Sequence, residues 1–237
     1  WSGPIAQRSG GRKDLTILAV KSTFFHNILY ERPVRFDSKV ARFTAGCASC
    51  PRSVREEEWN MKAAVIFWSK TGNTEKVATA IKEGLKESGA TVSLLRVEEA
   101  AHINFFDFDL ICIGFPSYQW HPPEPVESFL KSKFSDYRGQ GFVKTGAPKV
   151  PGKNALIFCT YSGPHTGINE AVPAGKYAGQ FFEHLGFTIL DEWYIVGEFH
   201  GSEEKSTAGR MGDIRGTPTE EDLRKIRRNA SRLLQRA

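Results

Sequence analysis

The chain has 237 residues, enough for one α/β domain with an appendage. Its 40% hydrophobic content suits a folded body, and it has no apolar run of about eighteen residues, the length that spans a bilayer, so no membrane-spanning helix is expected. Of the formal charge of +5, residues 1–60 account for +4 (ten Lys and Arg against six Asp and Glu), and a basic balance confined to one end gives no case for nucleic-acid binding by the rest.

Trp1–Asn60 shows no sustained hydrophobic period. Short apolar pieces, Leu15–Val20 and Phe24–Phe25, are interrupted by Lys, Arg and Pro, and the first is too short and badly placed for a secretory signal. Thr44-Ala-Gly-Cys47 has the outline of a lipoprotein cleavage site, but charged residues upstream argue against it. Cys47 and Cys50 form a lone CxxC. A metal site needs a second ligand pair and a thioredoxin-type site needs a βαβ context, and neither flanks it. The segment reads as a flexible N-terminal extension with two free thiols, a transit peptide being the weaker alternative. Met61, one of two methionines, sits directly before the first strand, and the functional unit is expected to run over 61–237.

Lys62–Trp68 reads as a central parallel strand, apolar on both faces. It runs into Trp68-Ser-Lys-Thr-Gly-Asn-Thr74, a Ser/Thr/Gly loop that opens a helix. Hydroxyls and free backbone N–H groups converge in such a loop, and the helix dipole favours an anion. The loop is neither a Walker A sequence nor Gly-x-Gly-x-x-Gly. Taken alone, it could equally be an ordinary βα turn with a Thr N-cap. The helix that follows places Val77, Ile81, Gly84 and Ser88 on one stripe, with Ala78 and Leu85 beside it and Lys76, Lys82, Glu83, Lys86 and Glu87 towards solvent. Gly84 is expected to allow close approach to the sheet, and Gly89 to stop the helix.

Thr91–Val97 and Asp109–Gly114 are the second and third strands, followed by a helix from about Pro123 to Phe134. Residues 139–153 are a Gly/Pro/Lys-rich surface excursion. Asn154–Cys159 is the fourth strand, and a helix covers Glu170–Leu185 with Ala178, Phe181, Phe182 and Leu185 inward. Phe187–Leu190 and Trp193–Phe199 read as an interrupted fifth strand. His200–Pro218 is a long loop whose stretch Gly209–Gly216 is a candidate docking surface or lid. Thr219–Asp222 caps the last helix, with Leu223, Ile226, Ala230, Leu233 and Leu234 as its apolar stripe. The arginines from Arg224 to Arg236 form its solvated face. Cys112 and Cys159, inside apolar runs, are expected to be reduced core residues.

Strand and helix alternate throughout, which defines an α/β fold: a three-layer, doubly wound, five-stranded parallel sheet. Ligands in such sheets bind beyond the carboxyl ends of the strands, where the strand order switches. The loops after strands one, three and four are therefore the place to look. The latter two read Gly114-Phe-Pro-Ser-Tyr-Gln-Trp-His121 and Thr160-Tyr-Ser-Gly-Pro-His-Thr-Gly167. They offer Tyr118, Trp120 and Tyr161 with little charge, which suits a flat aromatic ligand with a polar edge. His121 and His165 are tempting general acids, but loop histidines more often only hydrogen-bond locally, so no catalytic residue and no metal site are assigned.

The three loops in this order resemble those of the flavodoxin family, and the resemblance spans Lys62 to the last helix. It implies strand order 2-1-3-4-5 and FMN held without a covalent link. Ser69, Thr71, Gly72, Asn73 and Thr74 would hold the phosphate, with Lys70 solvated. Pro116, Ser117, Tyr118, Gln119 and Trp120 would lie along the ribityl chain and isoalloxazine, and Thr160, Tyr161, Ser162, Gly163 and Gly167 would close the other side. Trp68 is either a flavin contact or a packing residue. The resemblance implies a cytoplasmic carrier passing electrons between redox partner proteins. The alternative is an NAD(P)H-dependent flavin or quinone reductase with a small acceptor such as a quinone. A flavin-free interaction domain is the third possibility. Two features depart from the family. Tyr118–His121 lacks the glycine at which a family peptide commonly turns towards the reduced flavin, and a positive φ in another residue costs about 1 kcal/mol or more. Residues 61–237, at +1, also lack the family's strong acidity.

Overall fold

Five apolar runs pair into one sheet in the computed structural model, which describes residues 61–233. The expectations for residues 1–60, Cys47 and Cys50 included, and for Leu234 and Arg236 lie outside the described residues. The strands are β1 (Lys62–Phe67), β2 (Thr91–Arg96), β3 (Leu110–Pro116), β4 (Asn154–Tyr161) and β5 (Thr188–Val196). They are all parallel, in the order β2-β1-β3-β4-β5, as expected. The central strands β1, β3 and β4 are buried almost throughout, because helices cover both faces.

The helices are α1 (Asn73–Glu87), α2 (Glu124–Gly139), α3 (Val172–His184), α4 (Glu203–Thr207) and α5 (Glu220–Leu233). Alternate side chains of each strand feed two separate cores. Ile66, Ile113, Phe115 and Ile157 pack with Phe129 and Leu130 of α2 and Ala178 and Phe182 of α3. Val65, Phe67, Cys112 and Phe158 pack with Val77 and Ile81 of α1 and Ile226 and Ala230 of α5. Cys112 and Cys159 are free and buried, and burial pushes both thiols up, so they stay protonated.

Helix α2 extends well past Phe134. Its last turn buries Tyr137, whose hydroxyl accepts from the Phe105 N–H at 2.7 Å, a tertiary contact that local propensity does not reveal. The fifth strand is continuous rather than interrupted. Its register slips by one residue, so that Ala155 faces Ile189 and Leu156 faces Asp191, leaving Leu190 as a bulge. The bulge reverses the alternation. Ile189 faces the α2–α3 core, Trp193 and Ile195 face the α1–α5 core, and Tyr194 and Val196 return to the first. A strict period of two cannot describe that pattern, which is why the sequence looks broken there.

The apolar stripe of α1 is buried as expected except for Ser88, which is exposed at the helix end with its hydroxyl donating to the Leu85 carbonyl at 2.8 Å. Gly84 serves a different contact from the one expected: it faces α5, not the sheet. A methyl group there would lie 2.2 Å from the Arg227 carbonyl oxygen and 2.8 Å from Ala230 Cβ. Helix α5 starts with the expected cap. The Thr219 hydroxyl accepts from Asp222 N at 3.2 Å, and the Asp222 carboxylate accepts from Thr219 N at 2.8 Å.

Gly84→Ala sets propensity against packing. Alanine gains about 1 kcal/mol of intrinsic helix stability, but the overlap with α5 costs about 1–3 kcal/mol and sits on backbone that cannot rotate away. A net loss of stability in urea melts is expected, whereas Gly139→Ala, with open space at its Cβ, is expected to be neutral or slightly stabilising.

Candidate functional site

The chain leaves β1 pinned to its neighbour, because Trp68 N donates to the Gly114 carbonyl at 3.0 Å. The loop then turns on Gly72, whose N–H donates to Ser69 Oγ at 3.0 Å and whose φ of 95° is left-handed, a conformation that favours glycine. Gly72, not a threonine, is the residue that caps α1, and it supplies no side chain to do so. Helices α2 and α3, with Pro123 and Ala171 at the cap position, also lack a side-chain cap, whereas Ser202 and Thr219 cap α4 and α5 with their hydroxyls. The first-turn N–H groups of a helix have no acceptor within it, and they stand at the positive end of its dipole, so this terminus suits an anion.

Asn73 and Thr74 are buried, and their side chains are committed to other loops. Asn73 Nδ2 donates to the Glu198 carbonyl at 3.1 Å, and Thr74 Oγ1 lies 2.8 Å from Thr160 Oγ1. Ser69 is half-buried and Lys70 and Thr71 are exposed.

The second loop is tied to the third by Ser117, whose N–H donates to the Thr160 carbonyl at 2.9 Å and whose hydroxyl donates to the Glu170 carbonyl at 2.5 Å. Tyr118 and His121 then exchange both backbone hydrogen bonds, at 2.9 and 3.0 Å, across the two residues Gln119 and Trp120. Those two have φ of 49° and 67°, the conformation of a type I′ turn, which glycine and asparagine favour. The positive φ that the absence of glycine is expected to disfavour in the second loop is nonetheless adopted at both positions. Tyr118 and Trp120 are 44% and 59% exposed, large apolar surfaces at a loop tip. Trp68 meets Tyr118 edge to face at 6.1 Å, which joins the first loop to the second, and burial pushes the Tyr118 phenol up. Pro116 is half-buried and Gln119 exposed.

In the third loop Thr160 and Tyr161 are buried, and the Tyr161 ring belongs to the α2–α3 core instead of standing at the surface. The Tyr161 carbonyl accepts from Gly197 N at 2.8 Å, and Ser162 Oγ donates to the Gly197 carbonyl at 2.7 Å, so the end of β5 braces this loop. Gly167 N donates to the Gly163 carbonyl at 3.0 Å, closing a turn. His165 and Thr166 both donate their N–H groups to Glu170 Oε1, at 2.8 and 2.6 Å. His165 is exposed, and so is His121, whose ring lies 5.5 Å from that of Tyr177. Sequence reasoning missed Gly197, Glu198 and Glu170. Glu198 is 125 residues from the asparagine it anchors, and no local pattern marks it.

Three loops beyond the carboxyl ends of β1, β3 and β4, knitted to one another at the switch in strand order, define a doubly wound α/β protein with an anion-suited helix at its ligand edge. The sequence model of the flavodoxin family matches residues 65–229, and the chain belongs to that family of flavin-dependent electron-transfer proteins. It is 31% identical over 126 residues to a flavodoxin of Megasphaera elsdenii, covering 53% of this chain and 80% of that one. It is 26% identical over 187 residues to an NAD(P)H dehydrogenase (quinone) of Archaeoglobus fulgidus, covering 67% and 88%. Flavodoxin 1 of Bacillus cereus shares the fold, with a TM-score of 0.53 at 16% identity over 74% of this chain and 99% of that one. Among the described residues no helix is long and apolar enough to cross a membrane.

Two mutational outcomes follow from the loop contacts. Thr74→Val or Thr160→Val alone strands a buried hydroxyl and is expected to cost about 1–3 kcal/mol, while the double variant costs less than the sum of the two; urea melts of all four proteins measure the coupling. Replacing Gln119-Trp120 by Asn-Gly relieves left-handed strain of about 1–2 kcal/mol per residue, and a higher melting temperature is expected.

Proposed function

We propose that residues 61–237 form an FMN-binding domain that carries electrons between redox partners, with residues 1–60 an extension outside it. The phosphate is held by Ser69, Thr71, Gly72, Asn73 and Thr74. The Ser69 and Thr71 hydroxyls and the first-turn N–H groups of α1 meet it, while the buried side chains of Asn73 and Thr74 fix the loop. Pro116, Ser117, Tyr118, Gln119 and Trp120 line the ribityl chain and one side of the ring system. Thr160, Tyr161, Ser162, Gly163 and Gly167 close the other side, Tyr161 through its backbone because its ring is buried. The observation that carries this reading is the N-terminus of α1, left without a side-chain cap and locked to the third loop by the Thr74–Thr160 pair.

FMN, when bound, supplies the one- and two-electron chemistry. The chain's own residues bind, orient and exclude water. The Trp68–Tyr118 pair and the exposed Trp120 provide apolar surface against which a charged ring is disfavoured. The turn at Gln119 and Trp120 already has both residues at positive φ, so a backbone group there can be presented to the ring without a glycine.

A second reading, an NAD(P)H-dependent quinone reductase, is favoured by the likeness to the Archaeoglobus fulgidus protein and by the near-neutral charge of residues 61–237. Absorbance spectroscopy with an FMN titration, followed by photoreduction and an assay of NADH and NADPH oxidation with and without a quinone, separates the possibilities. One FMN per chain with no steady-state nicotinamide oxidation is expected. Sustained turnover with quinone would favour the reductase, and a colourless protein that takes up no FMN would leave the interaction domain.

A further inference from the structure

The segment after β5 holds the feature that the three-loop site does not use. Gly209–Gly212 forms a tight turn, with Gly212 N donating to the Gly209 carbonyl at 2.9 Å, so Arg210 and Met211 are its two central residues. The turn is pinned onto the third loop. Arg210 N donates to the Pro164 carbonyl at 2.8 Å, and Gly209 lies so close that an added Cβ would be 2.9 Å from Pro164 Cα and 3.0 Å from the Lys205 carbonyl oxygen. Both tip side chains lie over Gly167: a Cβ on that glycine would meet the Met211 sulfur at 3.2 Å and Arg210 Cδ and Nε at 3.7 and 3.9 Å.

Arg210 is exposed and has no ion pair or side-chain hydrogen bond among the described residues. Of the carboxylates in the neighbouring segments, Glu204 of α4 has no ion pair or side-chain hydrogen bond among the described residues and does not pair with Arg210, Glu203 pairs with Arg215 at 3.8 Å, and three others have partners of their own. Glu170 accepts from the His165 and Thr166 N–H groups, Glu198 accepts from Gly216 N at 2.9 Å, and Asp213 pairs with Arg215 at 2.6 Å, which holds that carboxyl at about 2. Met211, which shares the space over Gly167 with Arg210, is 37% exposed, and Ile168, the residue after Gly167, is 44% exposed. An unpaired guanidinium with apolar neighbours, on a rigid turn, matches a molecule with an anionic group on a flat apolar body. The scale is that of one small molecule: one turn and two side chains fall far short of the roughly 800 Å² per partner of a stable protein interface.

We infer that Arg210 recognises the anionic group of a small aromatic molecule that docks on the third loop, with Met211 and Ile168 taking its apolar part. The inference rests on the FMN reading only in that such a molecule would there be an electron donor or acceptor; binding itself needs no flavin. Backbone-amide NMR of the full chain, titrated with naphthalene-2-sulfonate and with uncharged naphthalene-2-methanol, tests it, before and after FMN addition monitored by absorbance. The sulfonate is expected to give saturable shifts at Gly163–Gly167 and Gly209–Gly212, and the alcohol much weaker ones. Arg210→Gln should weaken the sulfonate about tenfold without changing the alcohol, since it removes a charge-assisted hydrogen bond. Gly209→Ala, which keeps the arginine but displaces the turn, should weaken it as well, and retained amide dispersion elsewhere shows that both variants are folded. Equal shifts with the alcohol, an unchanged Arg210→Gln affinity, or tighter binding of polyglutamate at the same amides would each overturn the inference. Failure to take up FMN with sulfonate binding intact would remove the flavin reading alone.

Discussion

A buried hydrogen bond between two threonine hydroxyls, Thr74 in the first turn of α1 and Thr160 at the end of β4, holds the ligand edge of this protein together. One partner starts a helix and the other ends a strand that is two places away across the sheet, so the bond fixes how far the first loop stands from the third. The same Thr160 offers its carbonyl to Ser117, which brings in the second loop. Three loops with few regular contacts of their own therefore behave as a unit. Any polar group left unpaired at such depth costs more than the bond contributes, so the pair acts as a constraint on geometry more than as a source of stability.

The parallel sheet sets that constraint up. Every strand must be reached by a crossover, and the crossovers leave β1 and β3 on opposite faces, to α1 and α2. Between them the carboxyl edge stays open, and the two independent cores keep it so: one seats α2 and α3, the other α1 and α5. The close approach of α1 to α5 at Gly84 fixes where α1 begins as well as where it packs, because the same helix carries the uncapped terminus at its other end.

Strain and rigidity are distributed unevenly around this edge. The first loop uses glycine where a left-handed residue is required, but the second places Gln119 and Trp120 there, at an energetic cost. The gain is a large aromatic side chain displayed at the tip of a two-residue turn. The segment after β5, which looks like a plain polar loop in the sequence, is braced from within by α4, by buried Ile214 and by the Ser206 hydroxyl bonded to both backbone groups of Phe199. That bracing allows the turn at Arg210 and Met211 to be held over the third loop instead of trailing into solvent.

Local chemistry in the chain decided the element types, their order and the positions of the three loops. A buried parallel strand must be apolar along its length, a helix must show its stripe, and a phosphate-type loop must lie between the two, and these requirements act on neighbouring residues. Tertiary structure alone decided which residues serve as braces. The burial of Tyr161, the turning of Gly84 towards α5, the bulge at Leu190 and the anchoring of Asn73 by Glu198 all depend on partners far along the chain or on the far side of the sheet. A tyrosine in a loop motif looks the same whether its ring lines a site or fills a core. The difference is the packing around it, which exists only once the layers have closed.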